Sequence, residues 1–348
     1  MKKLYMNILV IVFILELGVM LLYFNFTKPR LLILHSYNAN YSWVREMNIG
    51  INRVLGNKSY YFIRWYYLDT KRHPWPEYKE NAGLIARKMI EKWQPDVIIA
   101  ADDDAQAYVT KYYVNNPNIK IVFTGVNNDL KTYGFDKAQN VTGILERLPL
   151  VALSDGLLTF SRRNSHRDIH SHPVRIFFIG DKSETVVGDE RWVRSFNWSP
   201  IVLVGSRLVD SLSDWQQAVR EASDLADYII TSNYRKIART PGSNKLVSPE
   251  ELITSTVKYS KIPVIGTNAF FAEDGGMLAI ATSPFEQGEV AAKMAVDILD
   301  NKKSPKDIPV VNSSQCVIAM NAPILREKKF DVPPVYESSA MANNLYIK

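Results

Sequence analysis

Residues 96–129 constrain this chain more than any other stretch. They read DVIIAADDD, then a polar-edged segment, then NIKIVFTGVNND. Each half is a short unbroken apolar run that ends abruptly in acids, amides and small residues. That is the pattern of a strand buried on both faces of a parallel sheet, with its carboxyl end opening at a crevice. Residues 105–114 can form the crossover helix between them, and Asn115-Asn116-Pro117 stops it. The unit is βαβ, and it predicts that the polar residues collect at one edge of the sheet.

The same unit recurs along the chain. LLILHSY opens at Leu31, and Ser42 can cap a helix whose apolar positions include Val44, Met47, Ile51, Val54 and Leu55. YYFIRWYYL over 60–68 is a dense β-forming run, a helix over about 76–93 follows, and VTGIL over 141–145 closes a first set of strands. VRIFFIG over 174–180, PIVLVGSRLV and LADYIITSNY over 225–234 start a second set. A helix over 249–259, capped by Ser248, and the strand PVIG over 263–266 complete it. At 348 residues and 47% hydrophobic, the chain exceeds the usual size of one domain, which predicts two open α/β lobes with parallel sheets.

The carboxyl part sets how the lobes join. GMLAIATSPFEQGEVAAKMAVDILDNKKSPKDIPV holds a strand, a turn and a helix begun by Ser283-Pro284, with Val290, Ala291, Met294, Ala295 and Ile298 on its apolar face. Strand character resumes over 310–320. A chain that builds one lobe, then the other, then returns predicts crossings near 143–147, 281–284 and 304–309. The expected division is 31–145 plus 284–306 for the first lobe and 146–283 plus 307–335 for the second, with 336–348 as a tail.

Residues 1–30 read separately. After Met1-Lys2-Lys3, residues 4–26 form an apolar run long enough as a helix to cross a hydrocarbon core of about 30 Å. The two lysines favour an amino end in the cytoplasm, although Lys28 and Arg30 oppose that bias. No small-x-small cleavage site follows and no lipid-accepting cysteine, so the expectation is an uncleaved signal anchor rather than a removed leader. It would place the chain as a single-pass protein of the bacterial cytoplasmic membrane, with its folded part in the periplasm or outside the cell. Glu16 within the span suggests a helix partner or local water access.

Several function classes are excluded. The net charge of +6 comes from interspersed signs without a basic stripe, which argues against a nucleic-acid partner. Cys316 is the single cysteine, so there is no intrachain disulfide and no cysteine-rich metal cage; burial in the terminal strand is expected for it. His166, His170 and His172 invite a metal reading. However, a helix or a strand would align only two of them, Asp168 is the sole local carboxylate, and residues 161–173 read instead as an exposed connection. Adjacent Asp102-Asp103-Asp104 do not supply the spacing glycoside chemistry needs. His35-Ser36 lacks an orienting acid and a G-x-S-x-G elbow, and no dinucleotide or P-loop glycine pattern occurs. No catalysis, no metal and no cofactor are expected.

Residues 31–335 resemble the ABC-transporter substrate-binding family, a divergent branch of the periplasmic-binding-protein type I superfamily also used as an extracytoplasmic sensor module. The resemblance rests on His35-Ser36-Tyr37, Tyr41-Ser42-Trp43 with Glu46, and Tyr67-Leu68-Asp69-Thr70-Lys71-Arg72. It continues in IIAADDDA over 98–105, VFTGVNN over 122–128, VTGILE over 141–146, EQGEVAAKMAVDIL over 286–299 and DIPV over 307–310. It implies reversible, non-catalytic binding of a small molecule between two lobes. Delivery to an ABC-type permease, or signalling through a separate membrane protein, would follow; a protein-binding scaffold is the remaining alternative.

Candidate ligand residues are those at which strands discharge into the cleft. In the first lobe they are His35, Ser36, Tyr37 and Trp43, then Asp69 and Thr70, Asp102 and Asp103, and Thr124, Asn127 and Asn128. In the second they are Asp181, Ser206, Ser232, Asn233 and Tyr234, and Asn268 with Phe270. Each polar member can equally cap a helix or form a turn. Carboxylates, amides and aromatic walls together suit an amino-acid-like, nucleoside-like or other small polar ligand with an apolar portion.

Overall fold

The computed structural model describes residues 2–164 and 172–348. Two sheets organise the chain. The strands in chain order are β1 (Arg30–His35), β2 (Phe62–Tyr67), β3 (Val97–Ala101), β4 (Lys120–Val126) and β5 (Val141–Leu145), then β6 (Arg175–Asp181), β7 (Val202–Val209), β8 (Tyr228–Thr231), β9 (Val264–Gly266) and β10 (Leu278–Thr282), and finally β11 (Val311–Asn312), β12 (Cys316–Asn321) and β13 (Tyr346–Ile347). The first sheet has six strands in the order β11-β5-β4-β3-β1-β2; the second has seven in the order β13-β12-β10-β9-β8-β6-β7. All pairings are parallel except β10 with β12. Parallel strands of this kind need apolar cover on both faces. In β1, Leu31 and Ile33 pack with Met47 and Ile51 on one side, while Leu32 and Leu34 meet Ala86 and Ile90 on the other.

One face of the first sheet is covered by two helices in unusually close contact. Ser42–Leu55 and Pro284–Leu299 cross where Gly50 faces Gly288. A Cβ on Gly288 would lie 2.1 Å from the Met47 carbonyl oxygen, and one on Gly50 would lie 2.1 Å from that of Phe285. Only hydrogen fits at either position. The serine starts read from sequence act as caps: Ser283 Oγ accepts from the Glu286 N–H, and Ser248 Oγ from that of Glu251.

Three crossings join the lobes, after β5, between β10 and the Pro284–Leu299 helix, and between β11 and β12. They are bonded to one another. The Arg147 carbonyl accepts from Thr282 Oγ1 and from Ser313 Oγ, and the Ser313 N–H donates to the Leu145 carbonyl. The Glu286 carboxylate accepts from the N–H groups of Ser314 and Gln315 and from Ser314 Oγ. The third crossing falls beyond the 304–309 segment because Val311–Asn312 still pairs with β5 in the first sheet. Residues 336–348 hold the end of the Pro334–Ala342 helix and the edge strand β13 of the second sheet.

Other elements differ from the sequence reading. The crossover helix after β3 begins at Asp102 and runs Asp102–Tyr108, followed by a 3-10 turn Thr110–Tyr113. Leu150–Asn164 is a helix that buries Leu153, Leu157 and Phe160, where only its last residues were read, as part of a connection. His166, His170 and Asp168 lie outside the described residues. Cys316 is exposed: it is the first residue of β12, beside Thr282 at a lobe crossing, rather than inside the sheet.

Lys2–Thr27 form a single helix. Its described side chains are mostly exposed. Among the described residues no helix is long and apolar enough to cross a membrane. This corrects the expectations of a transmembrane helix over 4–26, of a signal anchor, of membrane attachment through that helix and of a single-pass placement in the cytoplasmic membrane.

Candidate ligand-binding cleft

The carboxyl ends of both sheets face each other across a cavity of about 920 Å³. From the first lobe Tyr37, Thr70, Lys71, Asp103 and Asn128 line it; from the second, Asp181, Asn233, Arg235 and Lys236. The lobes touch at its side, where Asn128 Nδ2 donates to Glu184 Oε1 at 3.1 Å. Such a volume, with polar groups converging from two bodies, suits a small organic ligand.

The first-lobe wall is built by the turns that follow each strand. Ser36 is buried; its Oγ donates to the Ala101 carbonyl at 2.7 Å and accepts from the Ala105 N–H at 2.8 Å, tying β1 to the Asp102–Tyr108 helix. Thr70 Oγ1 donates to the Ser36 carbonyl. These contacts orient Tyr37, whose ring meets Tyr41 edge-on at 5.5 Å. The Lys71 ammonium lies 4.8 Å from the Tyr37 ring centre and 5.3 Å from that of Tyr41, a cation–π arrangement at the cleft.

Carboxylates gather around Asp103, which lines the cavity. Asp103 accepts from the Tyr133 hydroxyl at 2.8 Å and from the Asn127 and Asn128 N–H groups, yet burial raises its pKa to about 6. Asn127 Nδ2 donates to Glu146 Oε2 at 3.2 Å, so Asp103 and Glu146 flank one residue. From the other lobe, a Cβ at Gly188 would lie 3.8 Å from the Asn127 carbonyl oxygen, and the next residue, Asp189, interacts electrostatically with Glu146 and Asp103. Burial raises Asp189 to about 7, and it pushes Glu146 and Asp102 well above the usual carboxylate range, with neighbouring acids adding to the effect.

The sequence-read candidates therefore divide. Tyr37, Thr70, Asp103, Asn128, Asp181 and Asn233 line the cavity. Asp102 and Asn127 belong to the carboxylate end beside it. Ser232, at the end of β8, faces Asp189. The remainder are not among the lining residues and make contacts within the fold. His35 is sandwiched between Trp65 and Tyr67, and burial lowers its pKa to about 4. Trp43 packs on the apolar layer of the first sheet. Asp69 holds Arg72, and Thr124 Oγ1 bonds Gln287. Ser206 bonds Glu190 and Arg194 on the adjacent helix. The Tyr234 hydroxyl donates to Asp274, Asn268 Nδ2 bonds the Ser232 carbonyl, and Phe270 lies under the Arg235 guanidinium. Lys71, Glu146, Asp189 and Arg235 escaped the sequence reading. Lys71 directly follows Asp69-Thr70, and Glu146 directly follows β5, so strand-end position carried the signal for both. Asp189 was recoverable only from helical phase, four residues after the cavity-lining Thr185.

Two parallel-sheet lobes, interleaved by three crossings around a polar cleft, give the chain the fold of the periplasmic-binding-protein type I class. Within that class the chain matches the ABC transporter substrate binding protein family, whose pattern covers residues 204–339, most of the second lobe with the closing helix. No curated protein sequence matches the chain. Solved structures share the fold. A conserved domain protein from Vibrio cholerae aligns with a TM-score of 0.61 at 18% identity, covering 92% of this chain and 100% of its own. The ABC domain from Streptococcus pneumonia in complex with L-Trp gives 0.60 at 16%, covering 89% and 98%. The ligand-free, open structure of a substrate binding protein with adhesive properties from Clostridium difficile gives 0.63 at 16%, covering 88% and 96%. The family matched is one of binding proteins rather than enzymes. Among the described residues no group of three or more His, Cys, Asp and Glu side chains is placed to hold a metal ion.

Proposed function

We propose that the chain reversibly binds a small polar or amphipathic molecule in the interlobe cleft and delivers it to an ABC-type permease. The observation that carries this reading is the cavity of about 920 Å³ lined from both lobes above bonded crossings. Delivery rests on the family match. Closure of the lobes would desolvate the ligand's contacts, and the short crossings confine the motion to a hinge. Mass spectrometry of small molecules co-purifying with the full chain, followed by titration into ligand-free protein, tests the binding. A stoichiometric, reversible ligand is expected, and a repeated failure to find one in folded protein overturns the reading in favour of a scaffold.

A further inference from the structure

One turn of the first lobe is bonded to the cavity wall, to the hinge and to the opposite lobe. Asn127 and Asn128 follow β4 directly, and their N–H groups both donate to the Asp103 carboxylate, at 3.3 and 3.2 Å. Asp103 lines the cavity. On the hinge side, Arg147 Nη1 donates to the carbonyls of Val126 and Asn127, at 3.2 and 3.0 Å, from its place in the first crossing.

The second lobe rests on the same turn. Asn128 is buried, and its Nδ2 reaches two acceptors: the Tyr133 hydroxyl at 3.2 Å and Glu184 Oε1 of the second lobe at 3.1 Å. The Tyr133 hydroxyl donates in turn to Asp103 Oδ1 at 2.8 Å. Four residues beyond Glu184, a Cβ at Gly188 would lie 3.8 Å from the Asn127 carbonyl oxygen. Residues at i and i+4 share one face of a helix. The Glu184–Ser195 helix therefore sets a single face on this turn, with a hydrogen bond at one point and bare backbone at the next.

We infer that the turn at 127–128 is an interlobe latch, in which the Asn128 amide holds Glu184 and sets how far the two lobes part. Asn128 Nδ2 carries two hydrogens, one for Tyr133 and one for Glu184, so the bond across the boundary is made without giving up the bond within the lobe. Glu184 is exposed, so water replaces that bond at modest cost and the latch can open and close repeatedly. A group that draws on the Asp103 carboxylate acts on the turn that carries the latch. The inference concerns the separation of the lobes and not what the cleft binds, so it stands apart from the ligand reading.

The test measures lobe separation in the full chain by pulsed electron paramagnetic resonance between nitroxides on Glu77→Cys and Lys245→Cys, with Cys316→Ser removing the single natural thiol. Both labelled positions are exposed, and they flank the cavity-lining Trp75 and Leu246 of opposite lobes. Adding Glu184→Ala should shift the distance distribution to longer values and raise the ratio of open to engaged chains about two- to tenfold, the worth of one hydrogen bond within reach of water. Glu184→Gln, whose amide oxygen still accepts from Asn128, should keep the natural distribution. Asn128→Ala should match Glu184→Ala, and the double variant should go no further than either, because both remove the same bond. If the buried Asn128→Ala does not fold, the two Glu184 variants decide alone. A distribution unmoved by Glu184→Ala, or moved equally by Glu184→Gln, overturns the latch and leaves ligand binding untouched.

Discussion

At the residue scale, the carboxylates that define the cleft also set its response to pH. Asp103 and Asp189 have an ordinary value of 3.8 and are raised to about 6 and about 7 in the fold, so the folded chain takes up protons more readily than the unfolded one. A raised folded-state value means the stabilising contribution is complete below 3.8 and is lost as pH climbs through 6 to 7. His35 has the opposite sign: its value falls from 6.5 to about 4, so it withdraws stability only as pH drops below 6.5. The melting temperature of ligand-free protein is therefore expected to rise from pH 8 to pH 7, an interval over which His35 stays mostly neutral in both states. Asp189→Asn should flatten that slope. A melting temperature that falls over the interval, or a variant with an unchanged slope, would contradict the assignment.

Strand-end position made Tyr37, Thr70, Asp103 and Asn233 legible in the sequence, since a parallel sheet presents the residues after each strand to the crevice. It did not separate ligand contacts from turn formers. Asp181 illustrates the difficulty: it lines the cavity, yet its oxygens accept from the N–H groups of Ser183 and Lys236. Ser206 shows the limit of the same rule, because it lies within β7 and turns toward Glu190 rather than the cleft. Short polar side chains serve the backbone and the ligand with the same atoms, and a linear pattern does not say which.

At the scale of elements, both βαβ repeats and the returning helix could be read because buried parallel strands and an amphipathic helix have distinct periods. What was not legible is the fit between elements. Gly50 and Gly288 carry no periodic signal, yet they let Ser42–Leu55 and Pro284–Leu299 approach to backbone contact. Gly288→Ala places a methyl group 2.1 Å from the Met47 carbonyl oxygen, and neither helix can yield without lifting from the sheet. Overpacking of this kind costs about 1–3 kcal/mol. Urea unfolding should report that loss as a lower midpoint with an unchanged slope. By contrast Gly134→Ala, at a surface turn with a φ of 73° and no neighbour within 4 Å, should cost only the backbone strain of about 1 kcal/mol.

At the scale of the whole molecule, the joint between the crossings is held by a buried carboxylate that forms no ion pair among the described residues. Glu286 is 3% exposed, and its carboxylate is satisfied by the Ser314 and Gln315 N–H groups and the Ser314 hydroxyl, which pins the second crossing to the third. A carboxylate presents only acceptors to those donors. Glu286→Gln turns one oxygen into an NH₂ group that faces an N–H, breaking a charge-assisted set worth about 1.5–3 kcal/mol. The substitution leaves the cleft residues in place but loosens the joint that sets the angle between lobes. Small-angle scattering of ligand-free Glu286→Gln should show a broader distribution of interatomic distances than the natural chain, and a saturating ligand should narrow both to the same profile. If the two ligand-free profiles coincide while stability still falls, Glu286 secures the fold without governing the hinge. If ligand leaves the natural chain's profile unchanged, the lobes do not close, and binding must be explained by a preformed cleft.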